Sequence, residues 1–454
     1  MKLAKMISIT FSFILCMSAA SVSAKVSPEE AAQLGQTLTP VGAEMEGNSS
    51  GTIPSWTGGL TEIPPGFEPG KADLAPYKED NVLYTIDKNN MEEYRANLSE
   101  GQMAMMTTYE TFALPIYPTR RSANYTDATI GMINKNAINT ELQPGGNGLK
   151  NFIGLYPFPI PKNGTEVLWN HIQRNKGGSW SRKYNHVTPT TSGSYTAVTM
   201  AEDYSDRYAL EDSKTNKDDN LIFYFKQAVI APARLAGSVL LVHETLNQVK
   251  EARRAWVYNA GQRRVRRAPQ VSYDSPGTAS DGLKTADNFD MFNGAPDRYN
   301  WKLEGKQELY VPYNSFSLDD KTLKYKSLIK AGHINTEYAR YELHRVWKVV
   351  ATLKEGQRNI YSKRVFYLDE DTWAILVSNF YDGRGALWRV AESHNKYYFD
   401  AKSVMPTVET IYDLIGKRYM ANGLSNEIPN NFSFNKNFAT KNFTPAALRR
   451  SGKR

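Results

Sequence analysis

From about residue 190 onward, apolar and polar positions alternate with the period of two that a half-buried strand requires. Residues 194–200, 221–230 and 239–248 are strand candidates. Residues 254–258 and 262–268 flank Asn259-Ala260-Gly261 and read as a hairpin. The clearest run is 341–399, where KEGQ, DED and YDGRG separate four strands into an antiparallel meander. The N-terminal part follows a different pattern. Ser27-Pro28-Glu29-Glu30 is a capping box with proline in the first turn, opening a short helix that ends near Gly35. Helical spacing recurs over 89–106, with Met91, Tyr94, Leu98, Met103 and Met106 inward. It returns over 165–175, with Val167, Leu168 and Ile172 apolar. Gly/Pro-rich stretches at 38–70 and 141–164 are irregular, the first anchored by Trp56. Lys88, Gly131 and Gly282 mark loops, and with no domain border or repeat, 25–454 reads as one large domain.

One strand breaks the alternation. From Trp373, one face carries Trp373, Ile375 and Val377, and the other carries Ala374, Leu376 and Phe380. An antiparallel strand with one wet face shows polar residues there. Here both faces leave water: either helices and loops cover the second face, or that face lines an apolar cavity.

The N-terminus fixes the compartment. Lys2 and Lys5, the apolar run 6–17 and the small residues Val22-Ser23-Ala24 are the three parts of a secretory signal peptide, with the cut after Ala24. The run is too short to span a bilayer, and no other apolar stretch reaches that length, so no membrane span is expected. Leu15 stands where lipoprotein processing before Cys16 needs a small residue, so ordinary cleavage and release into the periplasm are expected. Cys16 is the only cysteine, so the mature chain has no thiol for catalysis, metal binding or a disulfide. The chain carries +8, and +6 without Lys2 and Lys5, which suits an anionic partner. Export makes nucleic acid an improbable one. The 27 Tyr, 18 Phe and 8 Trp favour strands and surfaces that grip apolar ligands or sugars.

Candidate chemistry is sparse. In ARRAWVYNAGQRRVRRAP (252–269), six arginines fall close together without an acid. Alternation puts Arg254, Trp256 and Tyr258 on one face of the first strand. It puts Arg263, Val265 and Arg267 on one face of the second, and Arg264 and Arg266 on the other. At least one arginine set is expected to pack against protein and pair with Asp287, Asp290 or the acids 369–371. The alternatives are a solvated or internally paired strand and a fork that grips an anionic headgroup. The six histidines lack metal-ligand spacing, and no H-E-x-x-H, G-x-S-x-G, phosphate-loop or dinucleotide motif occurs. No catalytic residue, cofactor or metal is expected. Asp369, Glu370 and Asp371 form a turn of acids that is expected to be solvated, although a distant carboxylate pair for glycoside cleavage remains open. The Phe-rich tail 431–454 is expected to dock through Phe432, Phe434, Phe438 and Phe443, or else to bind a partner.

Four long blocks carry a family resemblance: LTPVGAEMEGNSSGTIPSWTGGL (38–60), the run 252–269, DNFDMFNGAPDRYNW (287–301) and RVFYLDEDTW (364–373). The chain resembles a bacterial periplasmic family of unknown function named for outer-membrane lipoprotein sorting. The resemblance spans nearly the whole mature chain. It implies a mainly β, α+β fold like the lipoprotein-localisation carriers. That fold is a large curved antiparallel sheet, an open half-barrel, with helices and long loops on its concave side and acyl chains in its hollow. It further implies envelope transport beside an exporter of the resistance-nodulation-division type or an outer-membrane protein. The expected function is a soluble periplasmic carrier for a lipid or other hydrophobic molecule, neutral or anionic. The candidate ligand-binding set is Arg254, Trp256, Tyr258, Arg264, Arg266, Trp347, Trp373, Ile375 and Phe380. A scaffold for an exporter or outer-membrane assembly and a glycan-active enzyme are the alternatives.

Overall fold

In the computed structural model, residues 26–69, 74–214, 220–269, 271–429 and 432–451 are described. The signal peptide and its cleavage site lie outside the described residues. The alternating segments assemble into one curved, open sheet of 16 strands. In chain order the strands, with the separate hairpin β3–β4 outside that sheet, are β1 (Tyr84–Ile86), β2 (Leu114–Ile116), β3 (Glu141–Leu142), β4 (Leu149–Lys150), β5 (Ser179–Val187), β6 (Val198–Asp206), β7 (Leu221–Ala231), β8 (Val239–Thr245), β9 (Arg254–Asn259) and β10 (Arg264–Arg267). There follow β11 (Tyr299–Pro312), β12 (Tyr341–Leu353), β13 (Lys363–Asp369), β14 (Ile375–Tyr381), β15 (Leu387–Tyr398), β16 (Ser403–Asp413), β17 (Arg418–Leu424) and β18 (Phe432–Phe434). The spatial order runs β1-β2-β12-β13-β14-β15-β16-β17-β5-β6-β7-β8-β9-β10, with β11 beside β12 and β18 beside β5. Pairing is antiparallel except where β2 meets β12. The meander 341–399 is β12 to β15. Strands β5, β11, β16 and β17 were not marked by the alternation reading.

Among the described residues, six α-helices accompany the sheet: α1 (Pro28–Ala31), α2 (Glu100–Thr108), α3 (Asp127–Asn139), α4 (Gly164–Ile172), α5 (Tyr325–Leu328) and α6 (Pro445–Ser451). The capping box at Ser27 forms, with Glu30 N donating to Ser27 Oγ at 3.1 Å. The helical spacing over 89–106 resolves differently. Ser99 caps at Gln102 N, so a regular helix starts only at Glu100, and turns precede it. Gly131 lies inside α3 rather than in a loop. Thr126 caps that helix, and a side chain at 131 would meet open space. Trp56 anchors the irregular N-terminal segment by donating from Nε1 to the Ala123 carbonyl at 2.9 Å. No helix among the described residues is long and apolar enough to cross a membrane.

The strand that is apolar on both faces is β14, an interior strand flanked by β13 and β15. Its alternation slips at a bulge: Tyr367 faces Val377 while Leu368 faces Ile375, which leaves Leu376 extra. The slip reverses the faces beyond it. Ile375 and Phe380 join Trp169, Val349 and Phe366 in the inner core, whereas Val377 packs outward with Leu376, Val346 and Leu309. Alternation alone had placed Val377 with Ile375, and Phe380 with Leu376. Helix α4 and a long strap, residues 271–294, cover the inner face; α2 and β11 cover parts of the outer. The tail docks as well. Phe432 and Phe434 pack on Tyr398, and Phe443 is fully buried against Tyr224 on the outer face of β7.

Phe380→Ala, which removes a ring that stacks on Tyr361 at 4.8 Å, is expected to cost about 3–5 kcal/mol in urea unfolding. Exposed Arg264→Ala is expected to change stability by less than about 0.5 kcal/mol in the same assay.

Candidate functional site

Alternation brings one set of side chains to the inner face of the sheet half formed by β5 to β9. Strand β5 sends Trp180, Arg182, Tyr184 and His186 inward, β6 sends Met200, Glu202 and Tyr204, and β7 sends Phe223, Phe225 and Gln227. Strands β8 and β9 add Leu240, Val242, Glu244 and Val257, and the ends of β16 and β17 add Met405, Glu409 and Met420. The strap 271–294 passes over them without filling the space. A cavity of about 220 Å³ remains between strap and sheet. The wall is chiefly aromatic, aliphatic and thioether, with charged groups at intervals.

Each charged group on this wall is tied to others. Arg182 pairs with Glu202 at 2.6 Å, and its guanidinium lies 4.5 Å from the Tyr184 ring centre. Tyr184 Oη and Gln227 Nε2 both donate to Glu202, at 2.7 Å each. Arg253 pairs with Glu244 at 2.8 Å and donates to the Asn293 carbonyl of the strap at 2.8 Å. Arg174 holds Asp290 through two hydrogen bonds, one of 2.6 Å. Lys284, on the strap, comes no nearer than 3.8 Å to Glu409. The cations on this wall are Arg174, Lys176, Arg182, Arg253 and Lys284; the carboxylates are Glu202, Glu244, Asp290 and Glu409. Counted formally, five cations face four carboxylates.

Burial shapes the protonation states. It pushes the Lys176 ammonium down, against the pull of Asp290, and pushes the Glu244 carboxyl up, against Arg253. Burial also disfavours charge on Asp290, but Arg174 and Lys176 outweigh it and hold that carboxyl well below its usual range. Behind the wall, burial pushes His171 down to about 3. Its Nδ1 accepts from Ile375 N at 3.2 Å and its Nε2 donates to the Asp290 carbonyl at 2.8 Å, which is a neutral imidazole bridging α4, sheet and strap.

A family model described as "Protein of unknown function (DUF1329)" matches residues 85–449. This chain belongs to the DUF1329 family. The uncharacterized protein PA3922 of Pseudomonas aeruginosa is 54% identical over 456 residues and matches 100% of both chains. Among solved structures, a DUF1329 family protein from Desulfovibrio piger shows 14% identity and a TM-score of 0.43, covering 62% of this chain and 96% of its own. A LolA superfamily protein from Nitrosomonas europaea shows 12% identity and a TM-score of 0.38, covering 63% and 98%.

None of the nine candidate residues lines the cavity of this DUF1329 protein. Trp347 and Trp373 stack at 5.9 Å in the inner core with Ile375 and Phe380 nearby. Trp256 and Tyr258 point to the outer face, where Phe443 and Leu448 cover them. Arg254 pairs with Glu251 at 2.7 Å. Arg264 and Arg266 are exposed. The expectation that one arginine set of β10 packs against protein fails: Arg263, Arg264, Arg266 and Arg267 are all exposed, because β10 is the last strand of the sheet among the described residues. Asp287 and Asp290 pair instead with Arg364 and Arg174. From the run 252–269, Arg253 and Val257 are the residues that reach the cavity.

The acid turn is also a correction. Asp369, Glu370 and Asp371 are buried, not solvated. Arg121 grips Asp371 at 2.7 and 2.8 Å, while Lys306 and Arg345 reach Glu370 at 2.8 and 3.3 Å. His344, Asp369 and Asp371 each offer a metal-ligand atom, all within 4.8 Å of one another. Arg121 donates to both Asp371 oxygens and Glu370 accepts from Glu44 N, so the turn ties the segment 41–46 to the sheet.

The folded protein takes up a proton on His171 only near pH 3, whereas the unfolded chain does so near 6.5. Stability from this group is present above pH 6.5 and is lost as pH falls towards 3. His171→Gln is expected to be destabilised at pH 7, and its deficit relative to wild type should shrink by about 3 kcal/mol at pH 4 in urea titrations.

Proposed function

We propose that this protein is a non-enzymatic periplasmic carrier that holds an amphipathic, lipid-like molecule between the sheet and the strap 271–294. The observation that carries the reading is the cavity itself. Its volume of about 220 Å³ is bounded by Phe223, Phe225, Leu240, Met405 and Met420, which are the surfaces an acyl chain or similar apolar body contacts. Each methylene moved from water into such a wall contributes about 0.8 kcal/mol. Met side chains suit cargo of variable shape, because the thioether is flexible and polarizable. The charged groups in the wall set orientation. With five formal cations facing four carboxylates and Lys284 held loosely, the site favours a headgroup that is anionic. The leader motif at 2–24 supports export, and the cut after Ala24 leaves a chain that exchanges between membranes. In this reading the cargo passes to an envelope exporter or an outer-membrane protein.

Organic extraction of the purified protein followed by mass spectrometry is expected to release a lipid in near-equimolar amount. The emptied protein should take up a fluorescent fatty acid, and Val257→Trp, which intrudes on the cavity, should weaken uptake about tenfold or more. Absence of both bound lipid and uptake would overturn the carrier reading.

A further inference from the structure

A second basic feature lies outside the cavity. Strand β10 is the last of the sheet, and Arg263, Arg264, Arg266 and Arg267 on it and its turn are exposed. Helix α6 packs beside β8, β9 and β10 and presents exposed Arg449 and Arg450. Among the described residues, none of these six arginines holds a carboxylate within 4 Å, and the one recorded charge interaction is the longer-range pull of Arg267 on Glu251. The contrast with the arginines buried elsewhere is sharp: Arg121, Arg174, Arg182, Arg253, Arg340 and Arg364 each hold a carboxylate.

The register shows how the six are distributed. Arg266 stands opposite Val257 and Arg264 opposite Asn259, so these two share the inner face with a cavity-lining residue. Arg267 and Val265 stand opposite Trp256 and Tyr258, on the outer face beside α6. The guanidinium groups therefore wrap a free sheet edge from the rim of the cavity to the end of α6.

We propose that this arginine edge docks the protein on an anionic phospholipid surface. Guanidinium forks match phosphate oxygens bidentately and are weakly hydrated, so they suit a dense array of phosphodiesters. Basic clusters are drawn to anionic bilayers within a Debye length. An acidic protein is the poorer fit. Specific protein interfaces need a desolvated apolar centre, and the one large apolar side chain within 262–267, Val265, is already packed under Tyr258 and α6. An unpaired, charged edge also blocks strand-to-strand association. The inference does not depend on a lipid occupying the cavity, because vesicle binding and fatty-acid uptake are read separately.

The test is co-sedimentation of the mature protein with vesicles of phosphatidylcholine alone and with added phosphatidylglycerol, over a range of salt. Binding is expected only with phosphatidylglycerol and should fall as salt rises. The double variants Arg264→Glu/Arg266→Glu and Arg449→Glu/Arg450→Glu should each weaken it by about tenfold or more. Arg384→Glu, in the exposed turn between β14 and β15, should leave it unchanged. Thermal melting checks the fold of each variant, and Arg264→Gln/Arg266→Gln serves if charge reversal impairs it. Equal binding to both vesicle types, or binding that the double variants leave intact, would overturn the proposal. Retention by polyglutamate but not by vesicles would do so too, and would point to an acidic protein.

Discussion

Buried guanidinium groups fasten the strap to the sheet, and the cavity exists because of them. Arg174 reaches Asp290, Arg253 reaches the Asn293 carbonyl, and Arg364 reaches Asp287 at 2.7 Å. All three strap positions lie within 287–293, so the ties act over a short length of chain. Arg364 is fully buried and its guanidinium lies 5.0 Å from the centres of both the Tyr299 and Tyr361 rings, within the range of a cation–π contact. Removing one member of such a pair leaves an uncompensated charge out of water, at a cost of about 3–5 kcal/mol. A strap held by apolar contacts alone would settle into the hollow and fill it. Directional ties keep it at a set height instead. The cavity is thus a by-product of polar fastening over an apolar floor.

Much of the architecture was legible in residue patterns, because strand periodicity is a local signal. The meander 341–399 and the strands at 221–230 and 239–248 were readable for that reason. The misses have specific causes. Strand β5 carries Arg182, Asn185 and His186 at buried or half-buried positions, so polar residues mask its alternation. The bulge at Leu376 reverses side-chain faces without changing composition, so pattern alone put Val377 and Phe380 on the wrong faces. Gly131 looked like punctuation, yet Thr126 capping and an open surface let α3 continue through it.

The cavity was less legible than the fold. Its wall is assembled from inward residues of β5 to β9, from β16 and β17 and from the strap, so no local window of sequence contains it. Density of arginines and aromatics drew attention to 252–269, but that density marks a free sheet edge. Arg253 and Val257 face the cavity while their neighbours Arg254, Trp256 and Tyr258 face outward. One missed signal was readable in the half-polar strands. Arg182 and Glu202 sit directly opposite each other in register on neighbouring strands, which is how an inward ion pair is written in two sequences of alternation. The acid turn 369–371 misled for a related reason. Its partners Arg121, Lys306 and Arg345 come from three remote segments, so nothing near it in sequence announces burial.

The central claim is that the space between strap and sheet is a binding site for an apolar chain. Photocrosslinking with a diazirine-bearing fatty acid, followed by peptide mapping, tests it most directly. The account predicts adducts on the inward residues of β5 to β9, on the strap, and at Met405 and Met420. Adducts confined to the outer face around Trp256 and Tyr258, or spread evenly over the surface, would contradict it.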